Sequence, residues 1–126
     1  MKLSARKWIT VVYWVFLCVL THLPPSSLPS LPAPGLDKVA HVLFFVLLSL
    51  LGCWALRLER MSAVIGLSLV FIAYGAVDEW TQQWFHRTPD IRDWGSDVLG
   101  IVLGAVMYRL SARFDPARTH PTDQLE

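Results

Sequence analysis

Two groups of residues in this chain have the types and spacing to do chemistry. The stretch YGAVDEWTQQWFHRTPDIRDWGSDVLGIVLG, from Tyr74 to Gly104, sets Asp78, Glu79, Gln82, Gln83, Arg87, Asp93 and Asp97 between two strongly apolar runs, and DKVAH, upstream, adds Asp37, Lys38 and His41. Placed in a bilayer such charges cost a few kcal/mol each, so an intramembrane ionisable group is read first as a functional site. A metal could take His41, Glu79 and Asp97, but with one histidine and no HExxH pattern no metal or other cofactor is assigned. A carboxylate and a histidine could serve as general base and acid on a lipid-linked substrate. Covalent hydrolysis lacks a nucleophile, Ser96 being the nearest hydroxyl to the cluster. An ion path would need polar groups along its whole length, and these gather at one end.

The same residues have a purely structural reading. A buried hydrogen-bond network would fix helix register, with Arg87 or Arg92 pairing the carboxylates and Asp93 capping the last helix. Both readings need the residues brought to one level, and the apolar runs that flank them do this.

The composition is that of a membrane protein. It is 54% hydrophobic and 17% charged, with a mean hydropathy of +0.45, far to the apolar side of a soluble domain. The 126 residues allow one domain. A net charge of +1 without a clustered basic face gives no reason to expect nucleic acid. Cys18 and Cys53 sit in separate apolar runs without metal or redox spacing and read as packing residues.

Four helices are expected, at about residues 8–23, 39–58, 61–83 and 93–110, with a polar tail over 111–126. The first follows a basic N-terminus, the arrangement of a signal peptide, but no convincing small-residue cleavage site follows. An uncleaved span is the preferred reading. Residues 24–35 hold five prolines and form a connection outside the bilayer. The fold class is therefore all-α, an integral membrane four-helix bundle.

Of the 11 basic residues, Lys2, Arg6, Lys7, Arg57, Arg60, Arg109, Arg113 and Arg118 fall on one side, and Lys38, Arg87 and Arg92 on the other. The excess marks the cytoplasmic face, giving an N-in, C-in topology with the acidic cluster outward. Trp8 and Trp54 near the inner ends, and Trp80, Trp84 and Trp94 near the outer ones, suit interfacial belts.

Helical spacing then sorts the faces. Asp37, His41, Phe45, Leu48 and Gly52 share one stripe of the second helix, and Asp93, Asp97, Gly100 and Gly104 one stripe of the fourth. The last two form a GxxxG element that admits a close neighbour. Glu79, His41 and Asp97 should point into the bundle. Asp78 lies about 100° around the helix from Glu79, so the two are expected to face different partners.

These motifs together resemble the VanZ-like membrane proteins, named after the teicoplanin-resistance protein VanZ. That family's pattern is a helix opening with D-K-x-x-H, then E-x-x-Q, an arginine, and D-x-x-x-N-x-x-G-x-x-x-G. Asp37, Lys38 and His41 match the first part; Glu79 and Gln82 the second; Arg87 the arginine; Asp93, Gly100 and Gly104 the last. Asp97 stands where the family usually has Asn, and Phe85-His86 replace a glycine usual before the arginine. The resemblance implies an envelope role linked to teicoplanin susceptibility; the convergence of His41, Glu79, Gln82, Arg87, Asp93 and Asp97 at one depth adds the expectation of an amphiphile or lipid-linked precursor as ligand, with membrane lipids as neighbours. The oligomeric state and any catalysis stay open, as does an accessory, structural role.

Overall fold

The computed structural model describes residues 4–27 and 33–114. Four helices carry the chain: α1 (Ala5–His22), α2 (Leu36–Leu56), α3 (Met61–Thr81) and α4 (Ile91–Arg113). Short 3₁₀ turns follow α1 at Pro25–Ser27 and α3 at Gln82–Phe85. The expected tail lies, beyond residue 114, outside the described residues, as does the middle of the proline-rich connection.

Three stretches are long and apolar enough to cross a membrane: Leu36–Leu56, Met61–Phe85 and Ile91–Arg113. At ~1.5 Å per residue, the 21 residues of α2 reach about 31 Å, the thickness of a hydrocarbon core. α1 is not among them. Its 18 residues include Arg6 and Lys7 at one end and His22 at the other, so its purely apolar part is shorter than a span. Between the charged ends the outer surface carries large apolar side chains: Val12, Leu43, Leu69 and Val77 are all more than half exposed. Water would penalise each, whereas acyl chains do not.

α2 is the centre of the bundle. α4 lies against it most closely, because Gly100 and Gly104 present no side chain. A Cβ on Gly100 would collide with the Val42 carbonyl oxygen, and one on Gly104 would come within 2.5 Å of that of Val46. At this contact Ser49 donates its hydroxyl to the Ile101 carbonyl at 3.0 Å, which satisfies a polar group buried between helices. Leu17, Phe45, Leu48, Phe71 and Ile101 form the fully buried core, one or more from every helix. Trp14 of α1 meets the rings of Phe71 and Tyr74 edge-on at 5.3 and 5.2 Å, the favoured aromatic geometry.

The helix ends set the register of the polar groups. α2 stops at Leu56 because Arg57 turns left-handed (φ 50°), and its amide returns to the last turn. α3 tightens into the 3₁₀ turn and ends at His86, also left-handed (φ 60°). α4 is capped by Asp90, whose Oδ1 accepts from the Arg92 amide at 2.9 Å, not by Asp93 as the sequence implied. Asp90 itself is extended (φ −124°, ψ 114°), so Asp93 falls in the first turn of the helix and its carboxylate is released for another partner.

Candidate functional site

Three helix ends meet at one end of the bundle: the start of α2, the finish of α3 and the start of α4. Each contributes the side chains its last or first two turns carry. From α2 come Asp37, Lys38 and His41; from α3 and its 3₁₀ turn, Asp78, Glu79 and Gln82; from α4 and its cap, Asp90, Asp93 and Asp97. Asp78, Glu79, Gln82 and Asp97 are buried, at 2–6% exposure, which is rare for charged groups without firm partners.

Those partners are specific. Lys38 Nζ binds Asp37 at 3.0 Å, Asp90 at 3.2 Å and, most closely, Asp93. His41 sits between the carboxylates of Asp93 and Asp97, one turn apart on α4. Its Nδ1 is 2.8 Å from Asp97 Oδ1, while Nε2 is 3.9 Å from Asp93 Oδ2, beyond hydrogen-bond reach. With Asp97 ionised and the ring neutral, the proton sits on Nδ1 and Nε2 keeps its lone pair. The Asp97 carboxylate also packs on Gly75 of α3, whose missing Cβ would stand 3.4 Å from Oδ2.

Glu79 closes the other side. Its Oε1 accepts the Asp90 amide at 2.5 Å and its Oε2 accepts from Gln82 at 3.2 Å. Gln82 donates to Asp78 Oδ2 as well, at 3.4 Å. The expectation that Asp78 and Glu79 face different partners is thus corrected for Gln82. A residue four after one and three after the other neighbours both on a helix surface.

Asp78 also faces α1, where sequence reasoning had placed nothing. Its Oδ1 accepts from the Thr21 hydroxyl at 3.1 Å and the Tyr74 hydroxyl at 3.0 Å, and His22 Nδ1 lies 3.7 Å away. His22 in turn reaches the Cys18 carbonyl at 2.7 Å and Thr81 Oγ1 at 2.9 Å. A first helix antiparallel to α2 runs parallel to α3 and ends at the same level, but nothing in its spacing singles out Thr21 and His22 as partners of Asp78.

Arg87 does not pair the carboxylates. Its guanidinium donates to the Leu23 carbonyl at 3.3 Å, at the C-terminus of α1, where a cation meets the negative end of the helix dipole. Among the described residues neither Arg87 nor Arg92 makes an ion pair; Lys38 does, and the imidazoles of His41 and His22 lie beside carboxylates. Trp94, read as a belt residue, donates its indole N–H to the Ile72 carbonyl at 3.2 Å and so ties α4 to α3.

Outside the helices, Asp90 has its carboxyl held below the usual range, first by the Arg92 amide and then by Lys38. The donors closest to a metal-binding arrangement among the described residues are Cys18, His22 and Asp78, with ligand atoms within 4.8 Å of one another. Their imidazole and carboxylate are already engaged by the hydrogen bonds above. His41, Glu79 and Asp97 do not form such a set.

What the fold and the site define is an all-helical protein of membrane type with its polar groups gathered at one end of the bundle. The model of the VanZ/LLP1 family matches residues 4–112, and the chain belongs to that family. None of the curated proteins and none of the solved structures matches it.

Proposed function

We propose that the protein crosses the bacterial inner membrane four times, the short α1 doing so by snorkelling of Arg6 and Lys7 or local thinning of the bilayer, with both termini in the cytoplasm, and that its polar end faces outward to bind the head group of an amphiphilic or lipid-linked envelope molecule. One observation carries this reading: His41 is fixed through Nδ1 by a buried carboxylate, while Nε2, 3.9 Å from Asp93 Oδ2, has no hydrogen-bond partner among the described residues. A side chain serving packing alone gains nothing from orienting a ring whose second nitrogen stays unpaired, whereas a binding group does. Carboxylates outnumber the cations around it, so the favoured head group donates hydrogen bonds, through hydroxyls or an amine. Were a bound hydroxyl or water to meet Nε2, the same geometry would let His41 take its proton.

A change in teicoplanin susceptibility is the expected cellular consequence, since that antibiotic acts on the outer face of the membrane. His41→Asn and Glu79→Gln variants, checked for insertion and abundance, test this. Loss of the susceptibility or envelope phenotype at normal abundance supports the reading, and full retention removes it.

A second reading has its own observation. Each buried carboxylate joins two elements: Asp78 to α1, Glu79 to the cap of α4, Asp97 to α2. In that case the cluster is a clasp and a partner protein acts. Loss of function would then follow loss of melting temperature in detergent, variant by variant.

A further inference from the structure

At the opposite end of the bundle the charge balance reverses. Arg6 and Lys7 open α1, Arg57 and Arg60 flank the turn between α2 and α3, and Arg109 and Arg113 close α4; Glu59 is the one carboxylate there among the described residues. α3 and α4 are tied at the polar end by the Glu79–Asp90 and Trp94–Ile72 hydrogen bonds. Toward the basic end they part, leaving a groove of about 450 Å³. Its walls are apolar side chains of both helices, among them Ile65, Leu69, Val102 and Val106, and its rim carries Arg109 and Arg113. Those two arginines, four residues apart, share one face of α4. Arg109 donates to the Glu59 carbonyl, and among the described residues neither guanidinium has a carboxylate partner.

An apolar trough along the membrane normal, ending in two unneutralised guanidiniums, matches one chemistry: a chain of hydrocarbon joined to an anionic head. We propose that the groove seats an acyl chain of an anionic phospholipid whose phosphate is held by Arg109 and Arg113. Guanidinium forks suit phosphate oxygens, and basic pockets between membrane helices are a recurrent site for such head groups. The site is separate from the His41 cluster, and its test does not depend on what that cluster binds.

The test is native mass spectrometry of the full chain in mild detergent, titrated with phosphatidylglycerol or with phosphatidylcholine of the same acyl chains. The wild type should retain phosphatidylglycerol preferentially. R109Q/R113Q should lower that affinity on the order of thirtyfold, the attraction of two basic side chains for an anionic head group, and leave phosphatidylcholine unchanged. V106W, which fills the groove, should weaken both lipids. Should the double variant fail to accumulate, R113Q alone serves, since among the described residues Arg113 makes no side-chain hydrogen bond or ion pair. Equal binding of the two lipids by wild type, a phosphatidylglycerol preference that survives the arginine substitutions, or undiminished binding by V106W overturns the assignment.

Discussion

The pair His41–Asp97 shows how far one residue decides the site. Asp97 is 2% exposed and accepts from His41 at 2.8 Å, so its charge, the local departure from the family pattern, is the charge that orients the imidazole. Asp97→Asn keeps the shape and replaces a charge-assisted bond by a neutral one. The expected loss is about 1 kcal/mol of stability, read as a lower melting temperature in detergent. His41→Ala is expected to cost about 3–5 kcal/mol, because it strands a buried carboxylate. His41→Asn keeps a donor where Nδ1 was and removes Nε2, so its loss should stay near 1 kcal/mol. Arg87→Ala should cost less than about 1 kcal/mol, since it removes one long bond to the Leu23 carbonyl; a loss as large as that of His41→Ala would restore Arg87 as the counter-charge. The sequence named His41, Asp93 and Asp97 from their spacing, but it could not assign partners. The path of the connector decides them: Pro89 and the cap at Asp90 carry that residue back to Lys38 and Glu79, while Arg87 swings toward α1.

At the scale of elements, the contact between α2 and α4 rests on glycine. Gly100→Ala and Gly104→Ala each push a methyl group into backbone carbonyls of α2, and overpacking of this kind costs about 1–3 kcal/mol. Gly66→Ala and Gly95→Ala meet nothing within 4 Å and should be neutral or stabilising by up to ~1 kcal/mol, the helix propensity gained over glycine. Parallel thermal unfolding of the four variants checks both halves. The GxxxG spacing made this contact legible from sequence, because period and residue size are local properties. The cap was not legible: Asp90 and Asp93 are both acidic residues at a helix start, and the backbone, extended at Asp90 and helical at Asp93, chooses between them. Asp90 also gives the start of α4 a pH dependence. Its carboxyl titrates below the usual ~3.9 in the folded chain, so its contribution is complete above that pH and is lost as pH falls through the lowered value. The protection of the Arg92 and Asp93 amides against hydrogen exchange, relative to their intrinsic rates at each pH, should therefore fall in acid below about pH 4, and Asp90→Asn should flatten the response.

For the whole molecule, four apolar runs bounded by charges and prolines made an all-helical bundle legible, since lipid leaves the backbone few other options. Depth was legible as well: antiparallel helices return Asp37, Glu79 and Asp93 to one end. What joins α1 to that end, the Thr21 and His22 contacts to Asp78, depends on how the first helix leans on the others and has no periodic signature. The topology proposed above requires α1 to cross as well. Reporter fusions should place the 57–60 turn in the cytoplasm and the 86–90 connector outside, and a cytoplasmic connector would invert the site. The central claim, that the polar end binds an envelope amphiphile through His41, is tested most directly by mass spectrometry of molecules co-purifying with the full chain and with His41→Asn at matched melting temperatures. The account predicts a hydroxyl- or amine-bearing amphiphile retained by the wild type and lost from His41→Asn. The same molecules on both proteins, in the same amounts, would contradict it.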